Sequence, residues 1–363
     1  MIYNKLLVAF FLIAFWTINI NAQTYTENRK IVKIFKAGKS TTVDITNKYG
    51  KIHVIPWDKD SVRFEINLTI KSQNNSRLKK LKNNIDFDFT RTEYYITVKT
   101  TFGSKYSSFL SDLKNLAETF IPSYQVSIDY TVTMPNDLNL KINNKFGDIF
   151  TDDYKGELNI ILSNGDLKAN KLSGNTNIDI KIGDGVINSI KNGKIFISYS
   201  EFRIKKADQL NINSRSSKIN IDTVNVLTTH SRRDKYYISE INNLFGETYF
   251  SYLWIYKLNN ELNFKLKYGN LNLEFVNPQF SFLNINSAFA DLNLFFARQS
   301  NYQIDITHKN VNLNYPREIA KLQEKSINND EKQFLTFGTI GTADYFAKVK
   351  IYAERCDINI IHK

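Results

Sequence analysis

A small residue recurs along this chain, followed each time two and four positions later by apolar side chains. The column reads Gly50, Gly147, Gly165, Gly183, Ser200, Ser217, Asp234, Ser251, Gly269, Ala290, Lys309 and Cys356, and between Gly147 and Gly269 its steps are 17 to 18 residues. Two later come Ile52, Ile149, Leu167, Gly185, Phe202, Ile219, Tyr236, Leu253, Leu271, Leu292, Val311 and Ile358. Residues between the apolar positions are mainly polar, for example Arg203, Asn220, Asn272 and Asn312, which is the period-2 alternation of a strand with one buried face. A second alternation precedes the small residue, as at Leu140/Ile142, Leu158/Ile160, Leu210/Ile212 and Leu262/Phe264. A third apolar column follows it, at Tyr154, Leu172, Ile190, Ala207, Val224, Ile241 and Leu258. Two short strands, a tight bend and a plugging residue in about 18 residues describe one coil of a parallel β-solenoid.

One coil cannot bury its apolar face alone, so the coils must stack. At a strand spacing of about 4.8 Å the steps from Gly147 to Lys309 make a rod of roughly 43 Å. The small column has a steric cause, because a corner needs either positive φ or close approach of chain to chain, and Gly or Ser costs least there. Lys309 suits such a corner poorly and predicts a wider turn.

The domain organisation follows from where the period is interrupted. Residues 1–22 read as a secretory leader: Lys5 is followed by the uncharged apolar run Leu6 to Ile20 and by Ala22 at the cut. That run is short for a bilayer span, which needs about 20 residues, and no later stretch could cross as a helix. Residues 23–139 hold the first coil and an inserted α+β cap. In that cap Ser61 to Lys71 is a strand, Asn74 to Asn84 a short basic helix, Ile85 to Lys99 two strands, Ser107 or Ser108 to Phe120 a helix, and Val126 to Met134 a strand. Residues 140–316 are the solenoid repeats, and 317–363 are a charged excursion, Arg317 to Gln333, with a terminal coil around Cys356. Atypical ends of this kind keep a solenoid from associating edge to edge.

Asn47-Lys48-Tyr49-Gly50-Lys51-Ile52, then Asn144-Lys145-Phe146-Gly147-Asp148-Ile149, then Lys267-Tyr268-Gly269-Asn270-Leu271, resemble the repeated aromatic-glycine turns of the exported bacterial "putative adhesin" β-solenoid family of the Bacteroidetes type. The resemblance runs from about Lys30 to Lys363. It implies an all-β fold, a single-stranded right-handed parallel β-helix, with export and no catalytic residues to carry over. Ser200, Ser217 and Asp234 depart from its glycine pattern.

Candidate chemistry is sparse. Asp148, Asp166, Asp184 and Glu201 follow the small column as a carboxylate ladder; such groups stacked about 5 Å apart repel, and calcium could relieve them, as could water at an exposed rim. Ala37-Gly38-Lys39-Ser40-Thr41 mimics the end of a phosphate loop but lacks its first glycine. His53, His230, His308 and His362 have no zinc spacing and read as surface residues. Cys356 sits in the small column, where packing explains it. Tyr252, Trp254 and Tyr256 alternate with the inward Leu253 and Ile255 and so face outward beside Tyr237, forming a strip that sugar rings or a partner protein could meet unless another segment covers it. The 44 Asn suggest stacked amide ladders that could stabilise the rod or bind glycans.

A net charge of +12 comes from scattered Lys and Arg, with no run denser than Lys79-Lys80 or Arg232-Arg233, so no nucleic-acid groove is expected. The expectation is an exported noncatalytic interaction module of the cell surface, extracellular space or periplasm, without cofactor, binding a glycan or a surface protein. Its rivals are a polysaccharide-active β-helix enzyme, using Asp166 and Asp184 with Arg215 or Lys218 as base, and a periplasmic structural or sensing protein.

Overall fold

The computed structural model describes residues 24–103, 124–341 and 347–363; the leader and the helix expected from Ser107 or Ser108 to Phe120 lie outside the described residues. The chain is all-β, with 75% strand and 3% helix, in a solenoid-like sheet of 22 mostly parallel strands that does not close on itself.

The first strands are β1 (Tyr25–Lys36), β2 (Thr42–Lys48), β3 (Ile52–Pro56) and β4 (Ser61–Ser72). Helix α1 (Asn75–Asn84) precedes β5 (Ile85–Arg91), β6 (Tyr95–Phe102) and β7 (Tyr124–Met134). The middle holds β8 (Asn139–Lys145), β9 (Ile149–Thr151), β10 (Leu158–Ser163), β11 (Leu167–Lys181) and β12 (Gly185–Ser198). It continues through β13 (Glu201–Arg215), β14 (Lys218–Arg232), β15 (Lys235–Val276) and β16 (Phe282–Phe296). The end comprises β17 (Tyr302–Lys309), β18 (Asn312–Asn314), β19 (Ala320–Asn328), β20 (Gln333–Ile340), β21 (Ala347–Glu354) and β22 (Asp357–His362).

Two compact units divide the chain. The smaller falls within Met1–Arg29, Leu68–Asp86 and Thr101–Ser127. There the Asn74 side chain caps α1 by accepting from the Arg77 amide at 3.1 Å, Leu78 and Leu81 are buried, and Lys82 pairs with Glu27 at 2.6 Å.

The larger unit, Lys30–Asn67, Phe87–Thr100 and Ile128–Lys363, is the stack. From β8 to β16 the coils follow one another in chain order and in parallel register, shifting only between Leu172 and Asn175 and between Leu273 and Val276: Leu158 lies between Leu140 and Thr176, and Phe202 between Gly185 and Ile219. The inward columns are dry, with Ile149, Leu167, Phe202, Ile219, Tyr236, Leu253, Leu271 and Leu292 fully buried. Gly185 leaves room for its neighbour: a Cβ there would stand 2.0 Å from the Phe202 ring, so the large residue of one coil fills the space of the next.

The ends break chain order. Strand β2 pairs in parallel with both β6 and β8, and β3 with both β7 and β9. The first coil is thus the second layer, and Tyr95–Lys99 and Tyr130–Met134, which the sequence assigns to an inserted cap, supply the layer outside it. The C-terminal end mirrors this. Strand β16 pairs with β21 and β22, and these pair in turn with β17 and β18, so the last coil in sequence slots between two earlier ones. Beyond β17 the direction reverses, with β20 antiparallel to β17 and β19 antiparallel to β20. The outermost strand there carries Lys321, Glu324 and Lys325, charges that discourage further pairing.

This arrangement corrects the register of the small column at one coil. Lys309 pairs with Glu354 and Asn312 with Asp357, so Val311, not Lys309, stands opposite Cys356. Lys309 is the end of a strand and ion-pairs with Glu331 at 2.8 Å.

The corner divides its two requirements between two residues. Positive φ falls one position before the small residue, at Tyr49, Phe146, Asn164, Ile182, Tyr199, Ser216, Arg233, Phe250, Tyr268, Phe289, Asn310 and Arg355, all between 52° and 67°. The left-handed backbone costs about 1–2 kcal/mol for such residues, offset by an amide ladder such as Phe146 N to Ser163 O at 2.9 Å and Arg233 N to Tyr249 O at 2.9 Å. The small residue answers the close approach: a Cβ on Gly165 would sit 2.2 Å from the Gly147 carbonyl oxygen. Gly165→Ala is therefore expected to cost about 1–3 kcal/mol, read as a lowered thermal midpoint. An unchanged midpoint would show that the corner yields.

Where the coil shortens from 18 to 17 residues, Ser and Asp replace Gly, and their side chains complete the ladder. Ser217 Oγ donates to Arg215 O at 2.9 Å and accepts from Ser200 N at 3.3 Å. Ser217 N donates to Asp234 Oδ1 at 2.7 Å, and Asp234 N to Ser251 Oγ at 3.1 Å.

Candidate interaction face

The strands that follow the corner turn alternate residues outward, and in β15 these outward positions become aromatic. Register places Tyr237 beside Asn220 and Lys235 beside Lys218. One coil on, Tyr252, Trp254 and Tyr256 alternate with buried Leu253 and Ile255. Tyr237, Tyr252, Trp254 and Tyr256 keep 42%, 52%, 46% and 65% of their surface exposed, gathered on neighbouring positions of one strand face. The Arg317 to Gln333 excursion does not cover them, because it forms the hairpin of β19 and β20 on β17. Beyond Tyr256 a cleft of about 350 Å³ is lined by Tyr256, Lys257, Glu274, Phe275 and Lys363.

The positive-φ corner column carries a second aromatic feature. Phe250 stacks on Tyr268 at 4.7 Å between centroids and Tyr268 on Phe289 at 5.1 Å, with the Arg355 guanidinium 5.4 Å from the Phe289 ring. Tyr49 stacks on Phe146 at 5.5 Å. The aromatic-glycine turns show Tyr49, Phe146 and Tyr268 in the sequence, whereas Phe250 and Phe289 precede Ser251 and Ala290 and carry no such mark.

The carboxylate ladder is engaged with backbone. Asp148 Oδ1 accepts from Asp166 N at 2.9 Å, Asp166 Oδ1 from Asp184 N at 2.9 Å, and Asp184 Oδ1 from Glu201 N at 3.1 Å. Asp291 repeats the arrangement with Asp357 N at 2.9 Å, across the out-of-order layer. Glu201 ends the series by taking Lys218 at 2.9 Å, which holds the ammonium proton and raises the Lys218 pKa. Among the described residues no group of three or more His, Cys, Asp or Glu stands where it could hold a metal ion.

Amide ladders tie the exposed edges. One runs Asp208, Asn225, Asn242, Asn259 and Asn277, with contacts of 3.0, 3.0, 2.8 and 3.4 Å. Another links Asn272, Asn293, Asn359 and Asn314 at 2.6, 2.9 and 2.9 Å, following the spatial order of the layers. A groove of about 540 Å³ beside the first ladder includes Lys171, Lys206, Asp208 and Glu240. Glu240 is held below the usual carboxylate value by hydrogen bonds from Asn259 and Lys257.

Among the described residues, burial pushes the Asp234 carboxyl upward. It is 1% exposed and accepts from Ser214 Oγ and Ser231 Oγ at 2.8 Å, Arg232 N at 2.9 Å and Ser217 N at 2.7 Å. Around it Tyr236 Oη meets Ser214 Oγ at 2.6 Å and Thr229 Oγ1 at 2.8 Å, a buried polar cluster sealed from solvent.

The histidines do not all lie at the surface. His308 is buried, its Nε2 3.0 Å from Thr336 Oγ1, and burial lowers its pKa. His362 stacks on Phe296 at 5.6 Å, while His230 is exposed beside Glu247 at 3.5 Å. Cys356 is buried and its thiol is pushed up to about 11, so it is a packing residue and a poor nucleophile.

No protein-family model matches the chain, and no curated protein matches it. Three solved structures are similar over most of their length. One is a "putative cell adhesion protein" of Clostridium sporogenes, at 10% identity, covering 93% of this chain and 100% of the other, with a TM-score of 0.19. Another is a "putative lipid binding protein" of Parabacteroides distasonis, at 11% identity, covering 93% and 96%, TM-score 0.30. The third is a "putative adhesin" of Bacteroides fragilis, at 8% identity, covering 92% and 97%, TM-score 0.22. At such TM-scores the likeness carries no argument about this chain.

Proposed function

We propose that this chain is an exported, noncatalytic interaction module of the cell surface or envelope, wound as a single-stranded right-handed β-helix, that binds glycans through Tyr237, Tyr252, Trp254 and Tyr256. The observation that carries this reading is the exposure of four large aromatic side chains on a rigid, ladder-bonded strand face. Flat apolar ring faces on sugars meet such side chains with little entropic cost, because the scaffold already fixes them. Residues 1–22 serve as the export leader, and the layers beyond the repeats serve as end caps.

The noncatalytic part is supported by the state of the carboxylates. General acid-base chemistry needs a reachable group tuned towards neutral pH. Asp166 and Asp184 are occupied by amides, Lys218 is held protonated by Glu201, and Asp234 is enclosed. No helix among the described residues is long and apolar enough to cross a membrane.

The test is a panel of immobilised polysaccharides probed with the full-length chain and with Trp254→Ala. The expected result is retention of one or more glycans, weakened about 10-fold or more in the variant, a loss of about 1.4 kcal/mol. Retention of a surface protein but no glycan would replace the glycan reading. Calcium-dependent shortening of any bound polymer would overturn the noncatalytic one.

A further inference from the structure

The stack gathers positive charge that the sequence disperses. Arg215 pairs in register with Arg232, and Arg232 with Tyr249; Lys218 pairs with Lys235. Arg233 occupies the positive-φ corner between them, one layer before Phe250. Arg215, Arg232, Arg233 and Lys235 are all exposed, and among the described residues none of the four has an ion-pair partner. Their neighbours differ. Lys218 is neutralised by Glu201 at 2.9 Å, Arg203 by Asp222 at 3.4 Å and Lys257 by Glu240 at 2.9 Å. The acids around them are engaged elsewhere: Asp234 is buried in its own hydrogen bonds, Asp222 and Glu240 hold Arg203 and Lys257, and Glu247 lies against His230 at 3.5 Å.

Like charges held one layer apart, about 4.8 Å, repel each other, and no ion pair among the described residues relieves Arg215, Arg232, Arg233 or Lys235. Guanidinium groups present a fork that matches carboxylate or sulfate. The corner runs directly into the aromatic face, since Lys235 precedes Tyr237, Arg232 is followed in its column by Tyr249, and Arg233 in its column by Phe250. Two layers of cations thus adjoin a layer of aromatic faces, an extended surface that suits a chain of acidic sugars better than a single small anion.

We infer that this corner, Arg215, Arg232, Arg233 and Lys235, binds the carboxylate or sulfate groups of an acidic polysaccharide while the adjoining aromatic strip takes its ring faces. This rests on the glycan reading above and specifies its ligand class.

The experiment measures binding of the full-length chain to polygalacturonate, to dextran as a neutral polymer, and to a DNA duplex as an unrelated polyanion, at low and high sodium chloride. The expected result is a preference for polygalacturonate over both, weakened by salt, and reduced roughly 10-fold when the charge-assisted pairs are removed in Arg232→Gln/Arg233→Gln. Both positions are exposed, and an unchanged thermal midpoint confirms that the variant folds. Equal binding of dextran, lost in Trp254→Ala but not in the double variant, would overturn the acidic specificity and leave the glycan reading standing. Equal binding of DNA would show general polyanion attraction and overturn it as well. Failure to bind either polysaccharide would remove both.

Discussion

Removing Ala347 to Lys363 is expected to destabilise the whole C-terminal end of the stack instead of shortening it by one layer. The last coil is an interior one: β21 lies between β16 and β17, and β22 between β16 and β18. Val349, Ile351, Ile358 and Ile360 are at most 2% exposed. Burying side chains of this kind stabilises by about 1.5–3 kcal/mol each, on the order of 6–12 kcal/mol together as an upper bound. That approaches the full stability of a typical domain, about 5–15 kcal/mol. The deletion also strips parallel partners from both flanking coils, and Tyr302 loses its contact with His362 at 3.0 Å. Thermal unfolding and limited proteolysis of the truncated chain should show a large drop in midpoint and cleavage within β17 to β20. A truncated chain as stable as the intact one would place the last coil at the end of the stack.

The second large effect centres on Asp234. Asp234→Ala leaves the buried Ser217 N without its acceptor, costing about 1–3 kcal/mol, and also removes the acceptor of the part-buried Arg232 N. The pH dependence has a definite sign. Burial raises the Asp234 pKa in the folded chain above its unfolded value. Between those two values the folded state holds a proton that the unfolded state has released, so this group's contribution to stability is largest below the window and is lost as pH rises through it. Asp234→Asn does not titrate. The wild type should therefore gain stability relative to the Asn variant as pH falls through that window, measured as the difference in thermal midpoints. A constant difference would mean that the carboxyl titrates as it does in the unfolded chain.

What was legible in the sequence is what repeats locally. The alternation around Gly147, Gly165 and Gly183 announces strands and corners because each inward residue sits at a fixed offset from its own bend. The outward strip follows from the same parity, and so do the amide ladders. Layer order at the ends was not legible, since nothing near Thr42 or Asp357 says which distant strand lies on either side. Val311 stands where the column is otherwise mostly small, and its 21-residue step from Ala290 departs further from the 17 to 18 residues of the other coils than does the 19-residue step to Lys309. The left-handed corner residues were missed because Ile182 and Arg233 are side chains that ordinarily avoid positive φ. The basic corner was missed for a related reason: its members are brought together by the 17-residue coil, and a search for charge runs sees only Arg232-Arg233.

Placement of this module at the cell surface requires that the aromatic face be presented outside the cell. Trp254→Cys places a thiol at an exposed position, while the native Cys356 is buried and its thiol stays protonated. Labelling of this variant with a membrane-impermeant maleimide, on intact cells and after lysis, reads position 254 directly. An outward-facing module gives equal labelling before and after lysis. Labelling that appears only after lysis would contradict it and confine the face to the periplasm.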